Sequence, residues 1–138
     1  MTPDLPTLRA FFASAPFMVD LGIEPVDGSG GRVVTALSLA PRHLQHTGVV
    51  HAGVIGAMAD HTMGAAAQTM ALEGHWVLTA EYKTSLLRAA RGQRLECVGV
   101  VIKPGRQVSF TEAEVFAIDG DRRTLVAKAS ATMAVVKG

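Results

Sequence analysis

One uninterrupted apolar segment, residues 52–72, constrains the fold of this chain more than any other feature. It contains no proline, and its few polar members are Asp60, His61, Thr62, Gln68 and Thr69. Apolar residues occupy nearly every side of the corresponding helix, which predicts one long buried helix. A membrane span is the alternative, but Asp60 and His61 lie at its middle, where an ionisable side chain costs roughly 2.5 to 3.5 kcal/mol. We therefore expect the central helix of a globular domain.

The rest of the chain predicts one short helix and six strands around this central helix. Leu5, Leu8, Phe11 and Phe12 recur at helical spacing, which indicates a helical cap over residues 1–16. Two strands joined by the glycine-rich stretch 27–31 precede the long helix. Four runs of period-two alternation follow it, at residues 76–83, 95–102, 108–116 and 125–135. We expect hairpins to connect these four strands into an antiparallel sheet that wraps the helix, giving a single α+β domain over residues 1–138.

Composition excludes several classes of partner. The net charge is +1 and the 13 Lys and Arg residues form no run, so neither nucleic acid nor a membrane surface is an expected partner. Charged residues make up 18% and apolar ones 49%, which is poor in charge for a small monomer and indicates an oligomer. The single cysteine, Cys97, cannot form an intramolecular disulfide, and the first residues lack a secretory pattern. We expect a cytoplasmic protein.

Asp60 is the first candidate for chemistry. Gly56 and Gly64 flank it one helical turn away on either side, and each interior glycine costs about 1 kcal/mol relative to alanine. That cost is understandable if a substrate or a second helix packs closely there. A buried carboxylate is expensive unless it is hydrogen-bonded or protonated, so Asp60 is a functional candidate. A structural aspartate bonded to a neighbouring hydroxyl or amide is the alternative.

The start of the long helix is the second candidate. Residues 48–53 lead into its first turn, where backbone N–H groups lack partners inside the helix and the dipole favours negative charge. A donor at this position could hold an oxyanion.

The segment from Gln45 to Asp60 resembles the signature of hotdog-fold acyl-CoA thioesterases of the phenylacetate-pathway and 4-hydroxybenzoyl-CoA thioesterase type. In that family an Asn or Gln, a glycine, a His-Gly-Gly triplet and an Asp or Glu recur at this spacing. This chain has His51-Ala52-Gly53 at the triplet. The resemblance extends from about residue 17 onward and implies the hotdog fold and hydrolysis of an acyl-CoA thioester. It implies no cofactor, because coenzyme A is part of the substrate.

The resemblance also implies roles for four positions. Asp60 corresponds to the catalytic carboxylate, which acts as a general base on water or as a nucleophile on the thioester carbonyl. Ala52 corresponds to the glycine whose backbone N–H polarises that carbonyl, and alanine keeps this donor while adding a methyl group. Gln45 corresponds to a side chain that positions substrate or water. Thr79 corresponds to a Ser or Thr that orients water or the carboxylate.

The spacing of Ala52 and Asp60 predicts a dimer. Eight residues span about 12 Å along a helix, whereas an attacking group and an oxyanion donor must both lie within about 3 Å of the reacting centre. We therefore expect two antiparallel helices to meet across a homodimer, with Gln45 and Ala52 of one subunit facing Asp60 and Thr79 of the other. We further expect the homodimers to assemble into a homotetramer.

Candidate substrate-binding residues lie outside this core. Arg88, Lys103 and Arg106 are at strand ends or turns, where long cationic side chains can reach the phosphates of coenzyme A, with plain surface solvation as the alternative. His51 and Gly53 at the helix entrance complete the set, and the His51 imidazole is expected to fix the loop by hydrogen bonding.

The histidines do not predict a metal site. None of the five shows the spacing of zinc ligands. His61 neighbours Asp60 in sequence but points about 100° away around the helix, which disfavours a catalytic dyad.

Two other functions stay open. A hotdog enoyl-CoA hydratase pairs an Asp with a downstream His in a different loop motif, and that arrangement is absent here. A non-catalytic acyl-CoA-binding hotdog domain would lose its acid residue, whereas Asp60 is present.

Overall fold

The computed structural model describes all residues 1–138 and confirms the α+β class. It contains three α-helices, α1 Leu5–Ala13, α2 Pro16–Leu21 and α3 Ala52–Gln68. Its six strands are β1 Glu24–Ser29, β2 Arg32–Ser38, β3 His75–Leu86, β4 Arg94–Lys103, β5 Val108–Asp119 and β6 Arg122–Lys137. All six form one antiparallel sheet that wraps around α3, as expected for the hotdog fold. No helix has the length and apolar character needed to cross a membrane.

The strand order in the sheet is β1-β2-β4-β5-β6-β3. The prediction that hairpins connect the last four strands in succession is therefore wrong for β3, which pairs with β6 rather than with β4. Residues 87–93 make a crossover in place of a tight turn. The N–H of Leu87 bonds to the carbonyl of Val126 on β6, and the N–H of Gln93 bonds to that of Ile118 on β5. This connection leaves β3 at one edge of the sheet.

Helix α3 lies in the core, as predicted from its apolar sequence. Its Met58 and Met63 side chains are fully buried, and the hydroxyls of Thr62 and Thr35 are 2.8 Å apart across the helix–sheet interface. A Cβ on Gly99 of β4 would lie only 3.0 Å from the Thr62 backbone. Glycine there lets the helix approach the sheet closely, which fixes where α3 lies.

Helix α3 ends at Gln68, so the predicted end at residue 72 is wrong by four residues. The Gln68 side chain bonds to the backbone at the start of β3: its Nε2 donates to the His75 carbonyl at 2.9 Å, and its Oε1 accepts from the Val77 N–H at 3.0 Å. The Thr69 hydroxyl donates to the Ala66 carbonyl at 2.6 Å and accepts from the Gly31 N–H at 2.9 Å. The bonds from Gln68 to β3 and from the Gly31 N–H to Thr69 attach the end of the helix to the sheet, although residues 70–72 remain apolar.

The amino-terminal segment forms the predicted helical cap, α1, and a second short helix, α2, follows it. Helix α1 begins after Asp4, whose carboxylate accepts from the Thr7 N–H at 2.9 Å, and it buries Leu8 and Phe12. The short helix α2 was not predicted. It begins at Pro16 and ends before Gly22, which has a φ of 87°; proline at a helix start and glycine just past its end are recognisable signals.

Cys97 lies in the core as predicted. Its side chain is fully buried on β4, and this burial raises the pKa of the thiol to about 12. The thiol is therefore protonated and unreactive at neutral pH.

Candidate active site

The first turn of α3 leaves one backbone donor free. His51 precedes the helix, and its carbonyl accepts from the N–H groups of Val54 and Ile55 at 3.0 and 3.4 Å. Its imidazole Nδ1 accepts from the Gly53 N–H at 2.8 Å. The N–H of Ala52 has no acceptor in the chain. Ala52 therefore presents the only unpaired donor of this turn, at the positive end of the helix dipole.

The hydrogen bond between His51 and Gly53 gives both residues a local function. A Cβ on Gly53 would lie 2.9 Å from the His51 Nδ1 atom, so glycine leaves room for the ring to cap the helix. The imidazole accepts at Nδ1, so its proton lies on Nε2. His51 thus fixes the helix entrance by hydrogen bonding, as predicted.

A cavity of about 630 Å³ opens at this helix entrance. Gln45, His51, Ala52 and Arg88 line it, which brings four of the predicted site residues together. The sequence did not point to the apolar part of its wall, which consists of Val49, Val50, Ile55, Leu86, Leu87, Ala89 and Ala90. Three of these seven residues, Leu87, Ala89 and Ala90, lie in the crossover after β3. The path of that crossover follows only from the strand order.

Gln45 is held in a tight turn before the helix. Its backbone N–H bonds to the Val49 carbonyl at 2.8 Å, and its own carbonyl accepts from the Gly48 N–H at 2.9 Å. Gly48 has a φ of 87°, which favours glycine at this point of the turn. The side-chain oxygen accepts from the Thr47 N–H. The amide nitrogen of Gln45 is left as a donor at the cavity wall.

Asp60 and Thr79 are in contact, as predicted. The Thr79 hydroxyl donates to Oδ1 of Asp60 at 2.6 Å. A β-bulge between Thr79 and Glu81 shifts the register of β3 against β6, so that Thr79 and Tyr82 both face α3. Bulges commonly redirect side chains next to functional sites. Oδ2 of Asp60 makes no hydrogen bond and is available for chemistry.

His61 faces away from Asp60, which agrees with the expectation that they form no dyad. Its ring stacks on Phe11 at a centroid distance of 5.9 Å and meets Phe12 edge-on at 4.7 Å. Its Nε2 atom is buried and has no hydrogen-bond partner. Burial lowers the pKa of His61, and the nearby carboxylate of Asp60 opposes this shift. His61 therefore attaches α3 to α1 as a neutral ring.

The structure separates the predicted phosphate ligands. Arg88 lines the cavity at the helix entrance, and its guanidinium also donates to the Leu125 carbonyl at 2.9 Å. Lys103 ends β4, and Arg106 follows it in the turn before β5. Arg106 lines a different cavity, together with Met70 and Leu72 beyond the far end of α3.

The chain holds these candidate groups in two separate places. Neither Asp60 nor Thr79 lines the cavity that contains Gln45 and Ala52. No three His, Cys, Asp or Glu side chains converge to hold a metal ion. The arrangement offers a neutral hydrogen-bond donor at one place and a carboxylate at another, the two groups required to stabilise and attack a carbonyl.

Comparison with known proteins identifies the family. Residues 47–124, more than half of the chain, match the model of the thioesterase superfamily. The chain belongs to this superfamily. The thioesterase is 30% identical to a thioesterase family protein from Silicibacter pomeroyi, with a TM-score of 0.92 over 95% of this chain and 96% of that one. These matches confirm the hotdog-fold thioesterase inferred from residues 45–60, and thioester hydrolysis is its general activity.

Other structures are similar to this thioesterase over most of their length. The conserved protein PA5202 from Pseudomonas aeruginosa is 31% identical, with a TM-score of 0.76 and coverage of 88% of this chain and 94% of that one. The PaaI protein from the phenylacetic acid degradation operon of E. coli is 18% identical, with a TM-score of 0.83 and coverage of 94% and 90%. At that identity the likeness to PaaI shows a common fold. A comparison with curated protein sequences finds no match.

Proposed function

We propose that this thioesterase hydrolyses acyl-CoA thioesters in a homodimer whose two sites are each built from both protomers. One observation carries the proposal: the free N–H of Ala52 and the carboxylate of Asp60 lie eight residues apart on one helix, or about 12 Å. A single carbonyl group cannot contact both in one chain. Two antiparallel copies of α3 bring Ala52 of one protomer opposite Asp60 of the other, twice by symmetry.

The free edge of the sheet supports this dimer. Strand β3 has 12 residues and is hydrogen-bonded along only one side, to β6. It exposes large apolar side chains at Trp76, Leu78, Tyr82 and Leu86. A long apolar edge strand is a template for pairing with another strand. Antiparallel pairing of two β3 strands would also place the two copies of α3 side by side.

A homotetrameric assembly and a cytoplasmic location are also part of the proposal. A homotetramer is supported by the large apolar side chains Ile102 and Phe110, which are 57% and 47% exposed and could be buried by a second dimer. A cytoplasmic location is supported by the single buried thiol of Cys97, which suits a reducing compartment.

In the proposed reaction the two half-sites act on opposite sides of the thioester. The carbonyl oxygen accepts a hydrogen bond from the Ala52 N–H, and the Gln45 amide of the same protomer positions substrate or water. Asp60 of the other protomer either removes a proton from the attacking water or attacks the carbonyl carbon through its free Oδ2. Attack by water expels the coenzyme A thiolate and gives the free acid directly. Attack by Asp60 expels the same thiolate and leaves a mixed anhydride, which water then hydrolyses to the free acid and the Asp60 carboxylate. In both routes the thiolate takes up a proton. The bond from Thr79 fixes the carboxylate in either case.

The coenzyme A moiety would also contact both protomers. Arg88 lies at the cavity wall beside His51 and Gly53 at the helix entrance. Lys103 and Arg106 lie near the opposite end of α3. Because the helices of the proposed dimer are antiparallel, that end of one protomer approaches the entrance of the other. Arg88 and the cations of the second protomer would then share the phosphates.

The proposal is tested by turnover of a panel of acyl-CoA thioesters and by measurement of the oligomeric state. We expect the wild type to release coenzyme A as a dimer or a multiple of dimers. Asp60→Asn should lower kcat by roughly 10²- to 10⁴-fold, because it removes the base or nucleophile, while the surface variant Asp27→Asn retains activity. Comparable turnover by Asp60→Asn, or full turnover by a verified monomer, would contradict the proposal. Binding without hydrolysis by the wild type would favour the non-catalytic alternative.

A further inference from the structure

Tyr82 on β3 carries a hydroxyl close to the helix turn before Asp60, and neither proposed route uses it. This hydroxyl lies 3.4 Å from the position that a Cβ on Gly56 would take, and the nearest ring atoms lie at 3.7 and 4.0 Å from it. The ring therefore rests on the helix at Gly56, while the residue remains 48% exposed. The hydroxyl makes no hydrogen bond within the chain, so its place over the helix is fixed and its bonding capacity is free.

A β-bulge brings Tyr82 to the same side of β3 as Thr79. Side chains three residues apart on a regular strand point to opposite faces of the sheet, but the register of β3 shifts between Thr79 and Glu81. The Thr79 hydroxyl bonds to Asp60 at 2.6 Å, and the Tyr82 hydroxyl lies one helical turn earlier, over Gly56. The bulge therefore presents two hydroxyls to neighbouring turns of α3, and bulges are frequent beside functional sites.

The side chain of Asp60 is directed towards the turn that carries the Tyr82 hydroxyl. Side chains of an α-helix tilt towards its amino terminus, so each covers the turn before its own Cα atom. For Asp60 that is the turn of Gly56, on which Tyr82 rests. Thr79 bonds to Oδ1 of Asp60, and Oδ2 is left unbonded. Two polar groups that share a helical turn without a direct bond are suited to hold a water molecule between them.

We propose that Tyr82 is a further catalytic residue, whose hydroxyl holds the attacking water together with Oδ2 of Asp60. This inference rests on the proposed hydrolysis and selects its general-base route. The water donates one hydrogen bond to Oδ2 and the other to the Tyr82 oxygen, which directs a lone pair at the thioester carbonyl. As the water oxygen bonds to the carbonyl carbon, one proton passes to Asp60. The carbon–sulfur bond then breaks, Asp60 gives this proton to the departing thiolate, and the free acid remains.

The proposed dimer keeps Tyr82 beside the reacting group. Gly56 lies midway between Ala52 and Asp60, four residues from each, so it faces its own copy across the two-fold axis of two antiparallel helices. The thioester carbonyl, bound to Ala52 of the other protomer and facing Asp60, would lie within one helical turn of the Tyr82 hydroxyl, or about 5.4 Å. One water molecule with a hydrogen bond on either side spans a comparable distance.

The test compares Tyr82→Phe with the wild type in steady-state turnover of an acyl-CoA thioester. Phenylalanine keeps the ring on Gly56 and removes only the hydroxyl, so kcat should fall roughly tenfold, with KM and the circular dichroism spectrum unchanged. Thr84→Val is the matched control, because Thr84 lies two residues further along the same face of β3 and its buried hydroxyl has no partner. This control should keep the wild-type kcat.

Two measurements separate the proposed role from a packing role and from attack by Asp60. Tyr82 is the only tyrosine of the chain, so incorporation of a fluorotyrosine places a single NMR probe at this residue. Its fluorine resonance should shift when a non-hydrolysable acyl-CoA analogue binds to the dimer. A single turnover in isotopically labelled water should put labelled oxygen into the free acid and none into the Asp60 carboxylate. Labelled Asp60, or a resonance that does not move, would overturn the inference.

The outcomes also distinguish this role of Tyr82 from the proposed function. If the wild type hydrolyses acyl-CoA and Tyr82→Phe has the same kcat, the water is held without Tyr82, and the proposed function stands alone. Equal losses of kcat in Tyr82→Phe and Thr84→Val would likewise overturn the inference, because they would show a general effect of altering β3. If the wild type hydrolyses no acyl-CoA, the proposed function fails and the role of Tyr82 fails with it.

Discussion

The first and third turns of α3 differ both in chemistry and in what holds them. The first turn presents an N–H donor, and its supports are local: His51 satisfies the neighbouring donors from within the same turn. The third turn presents a carboxylate, and its support comes from Thr79, 19 residues away on β3. The first turn opens on a cavity, while Asp60 lies outside it.

The proposed dimer follows from this difference, because one chain does not bring the two groups to one place. In each of these turns, contacts within the chain already hold the group in place. A rigid helix also keeps the two halves apart, because the rise per residue cannot be shortened. In the proposed dimer, a second helix running in the opposite direction brings the donor of one protomer to the carboxylate of the other. The comparison predicts that the halves can be disabled separately and recombined.

Loss of the first-turn donor is expected to lower kcat more than loss of the third-turn support. Ala52→Pro removes the backbone N–H, and proline is tolerated at the first position of a helix, so the fold should persist. Removal of one oxyanion donor costs roughly 10²- to 10³-fold in kcat. Steady-state turnover of an acyl-CoA measures the loss of kcat, and circular dichroism measures whether the fold persists. Ala52→Gly retains the donor and should remain active; an active, folded Ala52→Pro enzyme would rule out the assignment of this N–H.

Loss of the third-turn support should have a smaller effect. Thr79→Ala removes the hydrogen bond to Asp60 but leaves the carboxylate, and a hydrogen bond to a charged group is worth about 1.5 to 3 kcal/mol. We expect kcat to fall roughly tenfold to a hundredfold with little change in KM, since Thr79 is not proposed to bind coenzyme A. Thr79→Ser should restore most of kcat. Equal losses of kcat in Thr79→Ala and Thr79→Ser would show that the Thr79 hydroxyl does not account for the effect.

His61 should influence how the free energy of unfolding changes with pH more than it influences catalysis. Burial lowers its pKa in the folded protein from 6.5, so below that pH the unfolded chain binds a proton that the folded chain resists. The free energy of unfolding should therefore decrease as pH falls below about 6.5, with a slope of at most about 1.4 kcal/mol per pH unit from one group. Urea unfolding at about pH 7.5 and pH 5 measures this decrease in the free energy of unfolding, which should be smaller for His61→Gln than for the wild type. An identical decrease would show that His61 does not titrate on unfolding.

The sequence predicted those features that depend on local pattern. The buried α3, its start at Ala52 and the β1–β2 hairpin followed from apolar periodicity and turn residues. The contact between Asp60 and Thr79 followed from the family resemblance, because no local pattern joins residues 19 positions apart.

Features that depend on tertiary contacts were wrong or missed. Hairpin connection is the default for successive strands, so the crossover that connects β3 to β4 past β6 and β5 was not foreseen. The end of α3 depends on bonds from the Gln68 amide to β3, which the apolar residues after it do not reveal. The bulge after Thr79 breaks the alternation assumed for residues 76–83. The cavity wall at residues 86–90 depends on the crossover and was missed for the same reason.

The central claim, that each site takes its donor and its carboxylate from different protomers, is tested most directly by a heterodimer of two inactive chains. Asp60→Ala and Ala52→Pro chains carrying different affinity tags are co-expressed, and the mixed dimer is isolated through both tags. One of its two sites then has an intact Ala52 N–H and an intact Asp60, so we expect about half of the wild-type turnover per dimer. A verified heterodimer with no more activity than its parent homodimers would contradict the account.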